Sequence, residues 1–136
     1  MIFDYDLMFL DDKNGPLKSV SSGILGDPID LSGAGQGKGY RGLIAIAFTA
    51  DTTATGDPEI QFALETADNA NFENRSAILF PFKTPYKKAD LKKGTVLTST
   101  LPLMGLQRYV RLRIGTDSII TCISIRAGFV LDAPLM

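Results

Sequence analysis

Pro58-Glu59-Ile60-Gln61-Phe62-Ala63-Leu64-Glu65-Thr66 decides the fold. Ile60, Phe62 and Leu64 alternate with Glu59, Gln61, Ala63 and Glu65, the two-residue period of a strand with one covered face. The same period returns over residues 109–116, where Val110, Leu112 and Ile114 face inward and Arg111 and Arg113 face out. A helix there would scatter the arginines around its circumference. Residues 41–50 place Ile44, Ile46 and Phe48 on one face and Ala45, Ala47 and Thr49 on the other, in a stretch rich in strand-forming side chains.

Outward from these three segments the pattern stays β. Residues 118–131 carry Ile119, Ile123, Ile125 and Phe129 on one side and Ile120, Cys122 and Val130 on the other, as expected of a single central strand covered on both faces. Shorter strands are expected at 24–25, 28–31, 76–82 and 95–101, each bounded by Gly, Pro, Asp or Asn. One or two helical turns are expected over 86–93, closed by Gly94. About eight strands at this spacing, with almost no helix, predict an all-β domain of two antiparallel sheets, a sandwich or jelly roll. Parallel sheets are excluded because their crossovers need helices.

The first twenty residues differ in kind. Ile2, Phe3, Tyr5, Leu7, Met8, Phe9 and Leu10 precede the break signal Asp11-Asp12-Lys13-Asn14-Gly15-Pro16, so residues 1–20 read as an extended apolar arm and 21–136 as the β domain. Such an arm packs back as an edge strand or adds to a neighbouring molecule, and the second is the expectation here. Its corollary is that removing residues 1–10 leaves a folded protein.

The 136 residues suit one domain of the usual 100 to 200 residues or so. Hydrophobic residues make up 45% and charged residues 21%, which places the chain among folded proteins. Fourteen basic against fifteen acidic residues leave a formal charge of -1, so no global field draws it to nucleic acid or an anionic membrane. With no His, one Cys and no Trp, His-based triads, His-ligated metal and Cys-rich zinc sites are excluded. Cys122 has no basic neighbour to activate it and reads as a buried structural thiol suited to a reducing cytoplasm. No pair of carboxylates stands out by spacing, so no enzyme is expected. No export signal or membrane span is expected either.

Several motifs dissolve under their own mechanics. Gly37-Lys38-Gly39-Tyr40-Arg41-Gly42 fits G-x-G-x-x-G, but a strand follows where a phosphate site needs a helix N-terminus. The Gly-rich stretch 32–42 reads as a loop. Asp11 to Gly15 imitates a calcium loop but puts Leu10 and Ser21 at two essential ligand positions. Asn74-Arg75-Ser76 is a formal glycosylation sequon in a hairpin loop. Lys83, Lys87, Lys88, Lys92 and Lys93 against Asp90 form a local positive patch: a solvated loop, or a dock for an acidic protein surface.

Three pieces in order, Met1-Ile2-Phe3-Asp4, Phe62-Ala63-Leu64-Glu65-Thr66-Ala67-Asp68-Asn69-Ala70-Asn71-Phe72, and Arg108-Tyr109-Val110-Arg111-Leu112 to Gly128-Phe129-Val130-Leu131-Asp132, resemble the capsid cement proteins of tailed phages. The resemblance spans nearly the whole chain, with the Gly-rich loop and the segment near Lys88 as elaborations. It implies a jelly roll made in the host cytoplasm that binds the outside of the expanded icosahedral shell. There it would bridge neighbouring major capsid proteins as a homodimer or homotrimer and hold the virion against packaged DNA, with no cofactor, metal or catalysis. Under it, Ile2, Phe3, Tyr5, Leu7, Met8 and Phe9 are the candidate capsid or oligomer contacts and the five lysines the candidate docking patch. The competing class is a carbohydrate-binding or host-recognition sandwich, for which the chain lacks the usual tryptophan platforms.

Overall fold

A computed structural model describes residues 3–11, 15–31, 43–73, 76–79, 82, 85–100 and 107–130, with the backbone alone for 4–7. Ile2, Lys83, the Gly-rich stretch 32–42, Asn74 and Arg75 of the sequon, and residues 12–14 of the calcium-like segment lie outside the described residues, as do the side chains of Tyr5 and Leu7.

Among the described residues the chain is all β. The strands are β1 (Phe3–Leu10), β2 (Leu17–Val20), β3 (Gly23–Asp30), β4 (Leu43–Phe48), β5 (Thr53–Ala54), β6 (Ile60–Ala67), β7 (Ala77–Leu79), β8 (Val96–Thr100), β9 (Tyr109–Thr116), β10 (Ile120–Ile123) and β11 (Ile125–Val130). They form three antiparallel sheets, ordered β1-β11-β4-β8, β3-β9-β6-β7 and β2-β10-β5. Ile44, Ile46 and Phe48 from the first, Phe62, Leu64, Val110 and Leu112 from the second and Ile120 and Ile123 from the third meet in one buried cluster, a sandwich-like arrangement. The alternation at Ile60, Phe62 and Leu64 lands where the period puts it, each side chain fully enclosed. Burying each is worth about 1.5–3 kcal/mol.

The N-terminal segment is not a free arm. Strand β1 pairs with β11, through Phe3↔Val130, Met8↔Gly128 and Leu10↔Ala127, with shifts of register between them. Phe9 is 3% exposed, and its ring lies 6.0 Å from that of Phe129. The expectation of an extended arm over 1–20 that adds to a neighbouring molecule is thus corrected for Phe3–Leu10, which pair within their own sheet. The physical reason is a non-local one: β11 offers its second ladder to β1, and Phe9 and Leu10 pack against the main core.

Gly26 makes this closure feasible. It sits at a register shift of β3 between Leu25 and Ile29, with φ +75°, and a Cβ there would collide with the carbonyl of Phe9. Only glycine accepts both that backbone and so close a crossing strand.

Two further expectations change. Residues 118–131 are not one strand: β10 lies in the small sheet, β11 in the first, and Ser124 marks the transfer. Its carbonyl accepts from the Thr49 N–H at 2.9 Å and its hydroxyl lies 2.6 Å from that of Thr49, so the interrupted ladder is satisfied locally. Ile119, expected inside, is 50% exposed because the chain turns there. The helical turns over 86–93 shrink to a 3-10 turn, Lys88–Asp90, whose Asp90 carboxylate accepts from the Lys87 N–H at 3.0 Å. Gly94 follows at φ +92°.

Candidate functional site

Strand alternation sends every second residue of β3, β6, β7 and β9 to the face turned away from the core. There Glu65, Arg111 and Arg113 meet, through the pairings Glu65↔Arg111 and Ala63↔Arg113. Arg111 Nε donates to Glu65 Oε1 at 2.6 Å and Arg113 Nη1 to the same oxygen at 3.0 Å. The Glu65 side chain is only 9% exposed. Burial raises its affinity for a proton, and the two guanidiniums more than reverse this, holding the carboxyl below the usual range.

The loop after β6 roofs this cluster. Asn69 Oδ1 accepts from the Glu73 N–H at 2.9 Å while Phe72 N–H donates to the Asn69 carbonyl at 3.2 Å. This leaves Phe72 at φ +56°, a region costly for a bulky residue, and lays its ring 4.1 Å from the Arg111 guanidinium carbon. Phe72 thereby shields Arg111, whose side chain is 20% exposed, while Arg113 stays 38% exposed.

Arg113 opens onto a shallow concavity of about 520 Å³, whose lining includes Gln61, Ala63, Ile78 and Gly115. Ala63, with a single methyl, and Gly115, with no side chain, leave it room. Ile78 at 44% and, across Arg113, Ile24 at 47% are among the exposed large apolar residues. The face therefore combines apolar rims with a partly exposed guanidinium, an arrangement chemically suited to an apolar surface bearing a carboxylate.

The residues singled out from sequence are dispersed. Phe9 belongs to the main core; Phe3, 7% exposed, and half-buried Met8 belong to a smaller cluster with Ala45 and Val130 on the opposite face of the first sheet. Arg126 lies 5.5 Å over the Phe3 ring. Of the six candidate contacts, the three with described side chains thus fall in two clusters, because register shifts between Phe3 and Met8 and between Met8 and Leu10 break the alternation of β1.

Lys87, Lys88, Lys92 and Lys93 do share one loop, but acids surround it. Lys87 Nζ lies 4.0 Å from Glu59 and donates to the Asp57 carbonyl, Lys88 Nζ donates to the Ala54 carbonyl at 3.3 Å, and the Lys93 N–H donates to Asp51. Leu91, fully buried, anchors the loop. Lys92 and Lys93 are exposed, and the Lys87 side chain is 45% exposed beside Glu59.

Cys122 is half-buried in β10 rather than buried, with a free thiol. Tyr86 packs against Phe62, ring centroids 6.4 Å apart, and Tyr109 lies under Arg108, so neither ring is an open sugar platform. Among the described residues no group of three or more His, Cys, Asp or Glu could hold a metal ion, and no helix is long and apolar enough to cross a membrane. Sequence reasoning missed Ile24, Ile78 and Phe72; the outward parity of Ile78 opposite Glu65 emerges only once the register is known. Comparison of the chain with protein-family models and with curated proteins returns no match.

Proposed function

We propose that this protein is a non-enzymatic capsid cement protein with a jelly-roll fold, which binds the outer surface of an expanded icosahedral shell and bridges major capsid proteins. One observation carries the reading. If β1, β3, β4, β6, β7, β8, β9 and β11 are taken as the eight strands, the chain changes between the sheets β1-β11-β4-β8 and β3-β9-β6-β7 at every step except the β6-β7 hairpin, a pattern a jelly roll has. This strand order supports the jelly roll that the family resemblance implies. The small sheet β2-β10-β5 is then an addition at the corner where the chain passes between the two.

The shell contact is assigned to the face holding Ile24, Ile78 and Arg113, with Lys92 and Lys93 at a separate rim. A ligand that binds only the expanded lattice stabilises it by mass action, and a small symmetric oligomer gripping several subunits adds avidity. Localisation on the virion and partnership with the major capsid protein belong to the same proposal.

The test is the protein inventory of density-purified particles. Copy number comparable to the major capsid protein is expected, and Ile78→Asp should lower it at unchanged solubility. Recovery of the chain only in the soluble fraction would replace this reading with a free binding module.

A further inference from the structure

Every open sheet carries edges, and an edge that is long, flat and uncharged invites another strand. Most edges here are blunted. Strand β1 is broken by two register shifts. Strand β3 has Gly26, Asp27 and Pro28 at its own shift, with β1 crossing over it. Strand β7 is three residues long and β5 two; β2 has four, with Lys18 beside Ser19 at φ +57°.

Strand β8 has none of these devices. Val96-Leu97-Thr98-Ser99-Thr100 carries no charge, no proline and no glycine, and pairs with β4 in unbroken register from Leu43↔Thr100 to Ala47↔Val96. Its other side faces no strand among the described residues.

The orientation of its free groups follows from one bond. Phe48 N–H donates to the Thr95 carbonyl at 2.8 Å, so Thr95 faces β4. Antiparallel ladders alternate, so Leu97 and Ser99 also face β4, while Val96, Thr98 and Thr100 turn their N–H and C=O groups to the open edge. The side chains of the same three residues are exposed, Val96 at 45%.

We propose that β8 joins two copies of this chain edge to edge about a two-fold axis, in antiparallel register centred on Thr98. The strand is self-complementary in three respects. Thr98 meets Thr98 and Val96 meets Thr100, all in the set whose main-chain groups face away from β4, with the Thr100 carbonyl also accepting from the Ser99 hydroxyl at 3.5 Å, so the two-fold axis brings donors to acceptors. The side chains of 96, 98 and 100 stay on one face, so the sheets continue without a change of parity. No charge lies on the strand, and a two-fold axis, which would set any charge near the axis against its own copy, meets no repulsion. The occupant is therefore a second copy. The inference deepens the proposed function by naming its self-association surface and choosing a dimer; it rests on that reading only for the shell as the setting.

The experiment is multi-angle light scattering on the purified full chain over a concentration series. The mass of two chains is expected. Thr98→Pro removes the outward N–H without touching the β4 ladder, and should give the mass of one chain with an unchanged circular dichroism spectrum. Thr98→Lys, which alters no backbone group, should do the same and carries the test if the proline variant fails to fold. Thr98→Cys should form a disulfide dimer on mild oxidation where the parent chain, with Cys122 alone, does not. Single-chain mass for the parent at every concentration, a trimer, or dimers retained by the lysine variant would overturn the inference. A dimer that fails to sediment with shells would leave it standing and remove the cement reading instead; a monomer found on particles would do the reverse.

Discussion

Strands β6 and β8 obey the same two-residue period and have opposite fates. In β6 the inward residues Ile60, Phe62 and Leu64 are enclosed, and its outward Glu65 is closed over as well, held by Arg111 and Arg113. In β8 the outward residues stay exposed and one ladder meets no strand among the described residues. Alternation reports that a strand has two faces. Whether the second face is solvent, an ion pair or another molecule depends on its neighbours, and among the described residues β6 pairs with two strands while β8 pairs with one.

The largest expected effect tests how far enclosure extends to the chain's N-terminal strand. Deleting residues 1–10 removes Phe9 from the core and bares the ladder of β11, and should abolish the cooperative thermal transition seen by circular dichroism. A truncated chain that keeps its transition would restore the view of β1 as an arm. Next, Phe62→Ala should cost about 3–5 kcal/mol in urea unfolding, the range for a buried phenylalanine.

A smaller effect is expected on the outer face of the same strand. Glu65→Gln should cost about 1–3 kcal/mol, because two guanidiniums then lose their carboxylate in a shielded site. Its folded pKa lies below the ordinary value of 4.5, so its contribution is fully present above that pH and is lost as the pH falls through the lowered value. The variant should therefore show a shallower loss of stability on acidification than the parent. A parallel loss in both would show that the pair contributes nothing.

The smallest effect belongs to β8. Val96→Thr, on its exposed face, should change monomer stability by less than about 0.5 kcal/mol. A cost near that of Phe62→Ala would mean that β8 is enclosed after all, and the contrast with β6 would collapse.

Much of this was legible without coordinates. The faces of residues 60–66 and 109–116 read correctly because burial on one side imposes the period directly on the residues. The arm was misread because its apolar residues follow no clean alternation and its partner β11 lies at the far end of the chain. The break at Ser124 was hidden because both flanking segments are apolar, and a change of sheet leaves the hydrophobic run intact. Cys122 read as buried for the same reason, although β10 sits in the small sheet, where one face is less covered.

By itself, then, the order of residues determined that the protein is antiparallel β, which side of each clear strand turns inward, and where glycine and asparagine permit turns; these are local consequences of side-chain polarity and backbone sterics. Only the tertiary structure decided that β1 closes onto β11 across Gly26, that Glu65 meets Arg111 and Arg113, and that β8 has an open edge among the described residues. Each of these depends on register and strand order. Pairing energies between distant segments set both, and no single segment carries that information.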